Sequence, residues 1–136
     1  KVKYDALVKM PPATIATCPK QTPQGGVYMF SEEENVLYVG RTKRKIRQRL
    51  QDHIAANRRD CPFALRLARE DTGNPAGSKG ELFRDKTFIK AYDAAKERIR
   101  EMDVRYVEEP DPLRQALLEI YAAVQSDAKH NDFDTH

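Results

Sequence analysis

The stretch from Gly26 to Gly40 reads GVYMFSEEENVLYVG. Apolar residues recur with a period of two on either side of an acidic turn containing Asn35, which is the pattern of a β-hairpin. Strands are expected at about residues 26–31 and 36–40. Each brings a tyrosine, Tyr28 and Tyr38, and a segment dense in arginine and lysine follows at once. Two phenols and a basic helix arranged in this order can converge on one phosphate.

Downstream, Ile46, Leu50 and Ile54 fall at i, i+4 and i+8, so a helix is expected from about Lys43 to Asn57, capped by Thr42. Pro62 opens a short helical stretch over residues 63–68, which stops before the Gly- and Pro-containing loop of residues 72–78. A longer helix from about Gly80 to Arg100 sets Leu82, Ile89, Tyr92 and Ile99 on one face, and residues 102–108 alternate like a strand. Asp111-Pro112 starts a last helix by the cap-plus-proline rule, with Leu113, Leu117, Ile120, Tyr121 and Val124 as its apolar stripe. Residues 127–136 are polar and read as loop. Upstream, Pro11, Pro12, Pro19 and Pro23 predict an irregular lead-in over residues 1–24 that packs on the domain of residues 25–136. Few strands among many helices point to α/β layers on a small, largely antiparallel sheet.

At 136 residues the chain is one domain with one modest core. No apolar run is long enough to span a bilayer, and Lys1-Val2-Lys3-Tyr4 leads into no cleavable apolar signal, so the cytoplasm is the expected location. Cys18 and Cys61 stand alone, without the spacing of a zinc or redox pair. The net charge of +3 conceals a strong division. Residues 41–59 hold eight Lys or Arg against Asp52, a net of +7, whereas residues 101–136 hold nine Asp or Glu against three Lys or Arg, a net of −6. A basic patch beside the tyrosine hairpin, with acid elsewhere, suits a polyanion partner.

Lys45, Arg49 and His53 are spaced to line one side of the basic helix. A guanidinium offers forked hydrogen bonds to phosphate oxygens, and an imidazole shuttles protons near neutral pH. A phenol, with a pKa near 10, is a poor base unless positive charge stabilises its anion, so Tyr28 and Tyr38 need Arg41, Arg49, His53 and a bound cation nearby. Glu119 lies off the apolar stripe of the last helix, between Ala116 and Ala123, where small neighbours leave room for a hydrated metal.

Taken together, these residues resemble the GIY-YIG nuclease family. Gly26-Val27-Tyr28 and Tyr38-Val39-Gly40 stand for the two name-giving triplets, with Val for Ile in each. Arg49 and His53 match the helix motif, Glu119 resembles the metal-binding glutamate, and Asn131 resembles the terminal asparagine. Arg41 sits where some members carry a basic residue near the phosphate. The resemblance covers about residues 25–133 and departs from compact members in a longer segment between His53 and Met102, read as a helical insertion around residues 58–101. The final Asn-Asp-Phe-Asp-Thr-His run is similar to stand-alone bacterial members.

The resemblance implies an α+β fold, a three-stranded antiparallel sheet flanked by helices, and a metal-dependent endonuclease acting on DNA, with RNA left open. It implies Tyr28, Tyr38, Arg49, His53 and Glu119 as catalytic residues, Arg41, Lys43, Lys45 and Asn131 as nucleic-acid contacts, and Glu119 as ligand of one Mg²⁺ or Mn²⁺. The alternative is a non-catalytic nucleic-acid-binding or protein-interaction module, expected to have lost Tyr28, Arg49 or Glu119; all three are present. So small a domain is expected to bind DNA weakly, with a partner domain or a second copy supplying affinity.

Overall fold

In the computed structural model, residues 2–56, 58–73 and 77–131 are described. The hairpin forms from β1 (Gln24–Glu32) and β2 (Asn35–Lys45), which pair antiparallel. Its two-residue turn places Glu33 at φ 49° and Glu34 at φ 72°, because only a turn with positive φ matches the right-handed twist of the flanking strands. β3 (Asp103–Glu108) pairs antiparallel with the other edge of β1, giving the order β2-β1-β3. This is the expected α+β architecture.

Alternation along β1 divides the molecule into two layers. Tyr28 and Phe30 face a larger cluster that contains Phe63, Leu67, Phe88, Tyr92 and Ile99 from α3 (Pro62–Thr72) and α5 (Lys86–Glu101). Val27, Met29 and Val39 face a smaller cluster closed by Leu7 of α1 (Val2–Lys9) and by Leu118, Ala122 and Ala123 of α6 (Pro112–Ser126). No helix among the described residues is long and apolar enough to cross a membrane.

Four local expectations are corrected. The lead-in opens with helix α1 instead of irregular chain: its prolines all lie beyond Met10, and buried Leu7 anchors the helix. The basic segment first extends the sheet, since Thr42 pairs with Gly26 and Lys45 with Gln24, so α2 spans only Ile46–Asp52. Thr42 accepts a hydrogen bond from the Arg44 amide within that strand, and Thr22 of the lead-in takes up the Arg47 amide at the start of α2. The far end of the expected helix, Asn57, lies outside the described residues.

The helix expected at 80–100 is broken into α4 (Lys79–Leu82) and α5, where Asp85 caps the Thr87 amide and Phe88, in place of Ile89, is fully buried. The largest departure concerns α6. Leu113, Leu117, Ile120, Tyr121 and Val124 are all exposed, and the helix rests on the sheet through Gln115, Leu118, Ala122 and Ala123. Small residues let the helix approach the strands closely, and Gln115 is buried because its amide donates to the Glu109 carbonyl at 2.6 Å.

Candidate active site

The two glycines that bracket the hairpin are required by what lies against them. Tyr28 pairs across the sheet with Gly40, and a Cβ added at Gly40 would sit 2.4 Å from the Tyr28 Cζ and Oη atoms. At Gly26 the added carbon would meet the Val107 carbonyl oxygen at 2.1 Å, inside the β1–β3 ladder. The Tyr28 ring therefore lies flat across Gly40 and stays on the same sheet face as Tyr38, whose strand partner is Phe30.

α2 ends at Asp52, and the following turn directs His53 into the core, where it is 1% exposed. Its Nε2 lies 2.7 Å from the hydroxyl of Tyr28, which is itself fully buried. Tyr28, Phe30 and Tyr38 each present an edge-on contact to the imidazole at ring separations of 5.5, 5.3 and 5.5 Å. Burial, with the nearby charges of Arg49 and Arg58, pushes the His53 pKa down to about 3, so the imidazole is neutral. Its Nδ1 is buried without a hydrogen-bond partner among the described residues. Burial likewise raises the Tyr28 pKa far above the usual phenol range and pushes Tyr38 up to about 12.

Arg49 is half-buried on α2, close enough to both phenols to favour their anions. Glu119 on α6 is close enough to both to oppose ionisation. Burial raises the pKa of the Glu119 carboxyl, and Arg41 Nε at 3.5 Å partly offsets that rise. Tyr28, Tyr38, Arg49, His53 and Glu119 are thus in one electrostatic neighbourhood, although they come from β1, β2, α2, the turn after α2, and α6. Arg41, Lys43 and Lys45 are exposed on the later part of β2. Asn131 binds both backbone groups of Val39: it accepts from the amide and donates to the carbonyl, each at 2.7 Å.

A family model described as the GIY-YIG catalytic domain matches residues 24–119. The chain belongs to the GIY-YIG family. No curated protein and no solved structure matched the chain. Members of the family are generally endonucleases that act on nucleic acid and use a divalent metal ion.

For such an ion, the donor set of this GIY-YIG chain is sparse. Among the described residues no three His, Cys, Asp or Glu side chains gather into a metal-holding group. Glu119 is a single carboxylate, half-buried at the edge of the site. That fits an Mg²⁺-type ion, which keeps most of its waters and takes one or two carboxylates plus substrate oxygens.

Several residues that shape the site carry no motif. Phe63 of α3 stacks on Tyr38 at 4.8 Å, and Arg66 on the same helix favours the Tyr38 anion. The turn carrying His53 is held from α5: Lys96 Nζ donates to the Ala55 and Arg58 carbonyls at 2.6 and 2.7 Å, and the Tyr92 hydroxyl donates to the Arg58 carbonyl at 2.8 Å. The stretch around residues 58–101 therefore braces the turn that follows α2. In the sequence, the traces of this are Tyr92 and Lys96 on the buried face of an amphipathic helix.

Proposed function

We propose that this chain is a divalent-metal-dependent endonuclease that hydrolyses phosphodiester bonds in DNA, working in the cytoplasm. The observation that carries this reading is the joint influence of Arg49 and Glu119 on Tyr28 and Tyr38. A cation, a carboxylate and two phenols around one spot match the needs of phosphodiester hydrolysis: hold the phosphate, activate water, and stabilise a leaving oxygen.

Arg49 grips the scissile phosphate through its forked donors. Tyr38, the more exposed phenol, positions the phosphate or the attacking water. Tyr28 accepts the proton of that water as it passes its own hydroxyl proton to Nε2 of the neutral His53, 2.7 Å away. Both are buried in the resting chain, so substrate binding must open a path for water to the phenol.

Glu119 would hold one Mg²⁺ or Mn²⁺, releasing Arg41 to the substrate. When bound, the ion supplies positive charge that eases ionisation of nearby groups and stabilises the leaving 3′ oxygen. One matched carboxylate does not suit a two-metal clamp. Arg41, Lys43 and Lys45 meet flanking phosphates, so binding weakens steeply with salt. Asn131 acts at one remove, holding the chain after α6 against the strand that bears Tyr38.

The test is nicking of supercoiled plasmid and a branched DNA, with and without Mg²⁺ or Mn²⁺. The wild type should cut only with metal, leaving 5′ phosphates, while Arg49→Ala and Glu119→Ala should be at least about a hundredfold slower. Equal cutting by all three proteins overturns the assignment.

A further inference from the structure

α6 is apolar on both sides, and the described residues cover only one of them. Leu118 and Ala122 face the sheet, whereas Leu113, Leu117, Ile120, Tyr121 and Val124 are 37–70% exposed on the opposite side. Their positions step by four, three and four residues from 113 to 124, the spacing of a helix–helix seam. The only charged residues of α6 are Arg114 and Glu119, and neither interrupts the seam. Val2 of α1, 83% exposed, lies with Leu117 and Tyr121 on a cavity of about 540 Å³ beside the seam, which Lys3, Glu109 and Arg114 also line.

We propose that this face is a homodimer interface in which α6 packs antiparallel on α6 of a second copy. The apolar patch is on the order of 600 Å², at the upper end of what monomers leave open. Two such patches together approach the roughly 1,200 Å² at which stable interfaces begin. An uncharged seam is complementary to itself, as an isologous two-fold contact requires. In the antiparallel register Leu113 meets Val124 of the other copy and Leu117 meets Ile120, with the helix dipoles opposed favourably. A membrane-lying role is disfavoured, because such helices carry rows of Lys and Arg beside the apolar face and α6 has Arg114 alone. Glu119 projects about 140° around the helix from the seam, so pairing leaves both sites open.

The test is sedimentation velocity on the intact chain from micromolar to near-millimolar concentration, with circular dichroism to confirm folding. The wild type should be dimeric, and Leu117→Lys and Ile120→Glu should each weaken the dimer at least about thirtyfold. The double substitution should restore it, because the antiparallel register sets the two new charges opposite each other twice. A monomer at every concentration overturns the proposal. So does a dimer unaffected by either single substitution, and so does a double variant no better than the weaker single one. The substitutions lie on an exposed surface, so the fold is not at stake, and the outcome does not depend on nuclease activity.

Discussion

The Tyr28 hydroxyl meets His53 Nε2 at 2.7 Å with both side chains buried, while the other imidazole nitrogen has no partner among the described residues. Tyr28→Phe strips the imidazole of its hydrogen bond to the phenol and should cost about 1–3 kcal/mol of stability, read from urea denaturation. A double-mutant cycle with His53→Phe should show coupling of about 1 kcal/mol or more. Strictly additive losses would mean that the contact contributes nothing of its own.

Stability should fall in acid, and His53 should cause much of that fall. Burial first, then the charges of Arg49 and Arg58, lower its pKa from 6.5 to about 3. Below 6.5 the unfolded chain takes up this proton and the folded chain does not, until pH nears 3. The contribution is complete above that window and is lost through it, by up to about 1.4 kcal/mol per pH unit. His130, lowered mainly by burial, acts in the same sense; Glu119, raised by burial, acts in the opposite one. His53→Phe should therefore flatten the dependence of the urea midpoint on pH, and an unchanged slope would contradict this account.

Adding one carbon to either bracketing glycine should be costly for different reasons. Gly40→Ala presses on the Tyr28 ring, which can shift, at about 1–3 kcal/mol and with loss of the His53 contact. Gly26→Ala presses on a strand carbonyl, which cannot rotate away, and should be the more damaging of the two. Thermal unfolding of the two variants gives the ranking, and the reverse order would contradict it.

The hairpin turn is the place to gain stability. Glu33 and Glu34 both hold positive φ, which side chains other than Asn, Asp and Gly resist. Replacing the pair by Asn-Gly should add up to about 1 kcal/mol and leave DNA cleavage unchanged, as judged by unfolding and nicking assays side by side.

What the sequence disclosed is mostly what repeats at short range. Alternation revealed the hairpin, and the triplets marked the two glycines whose crowding by Tyr28 and Val107 the structure explains. Residues 43–45 resemble the start of a helix by their charges, while the pairing of Thr42 with Gly26 and of Lys45 with Gln24 across the sheet decides their conformation. His53 is expected to line one side of a helix running to about Asn57, whereas α2 stops at Asp52 and the turn after it carries the imidazole inward. On α6 the bulkier apolar residues suggested the buried face, yet the sheet takes the smaller ones, Ala122 and Ala123. No local pattern distinguishes an apolar stripe that meets the core from one that does not.

Whether Arg49 and Glu119 act on the same phosphate is decided by single-turnover cleavage of a branched DNA in Mn²⁺ by Arg49→Lys, Glu119→Asp and the double variant. Groups that work as one unit lose far less together than the product of their separate losses. The double variant should therefore cut within a few-fold of the slower single variant, whereas a fully multiplicative loss would place the two residues at separate tasks.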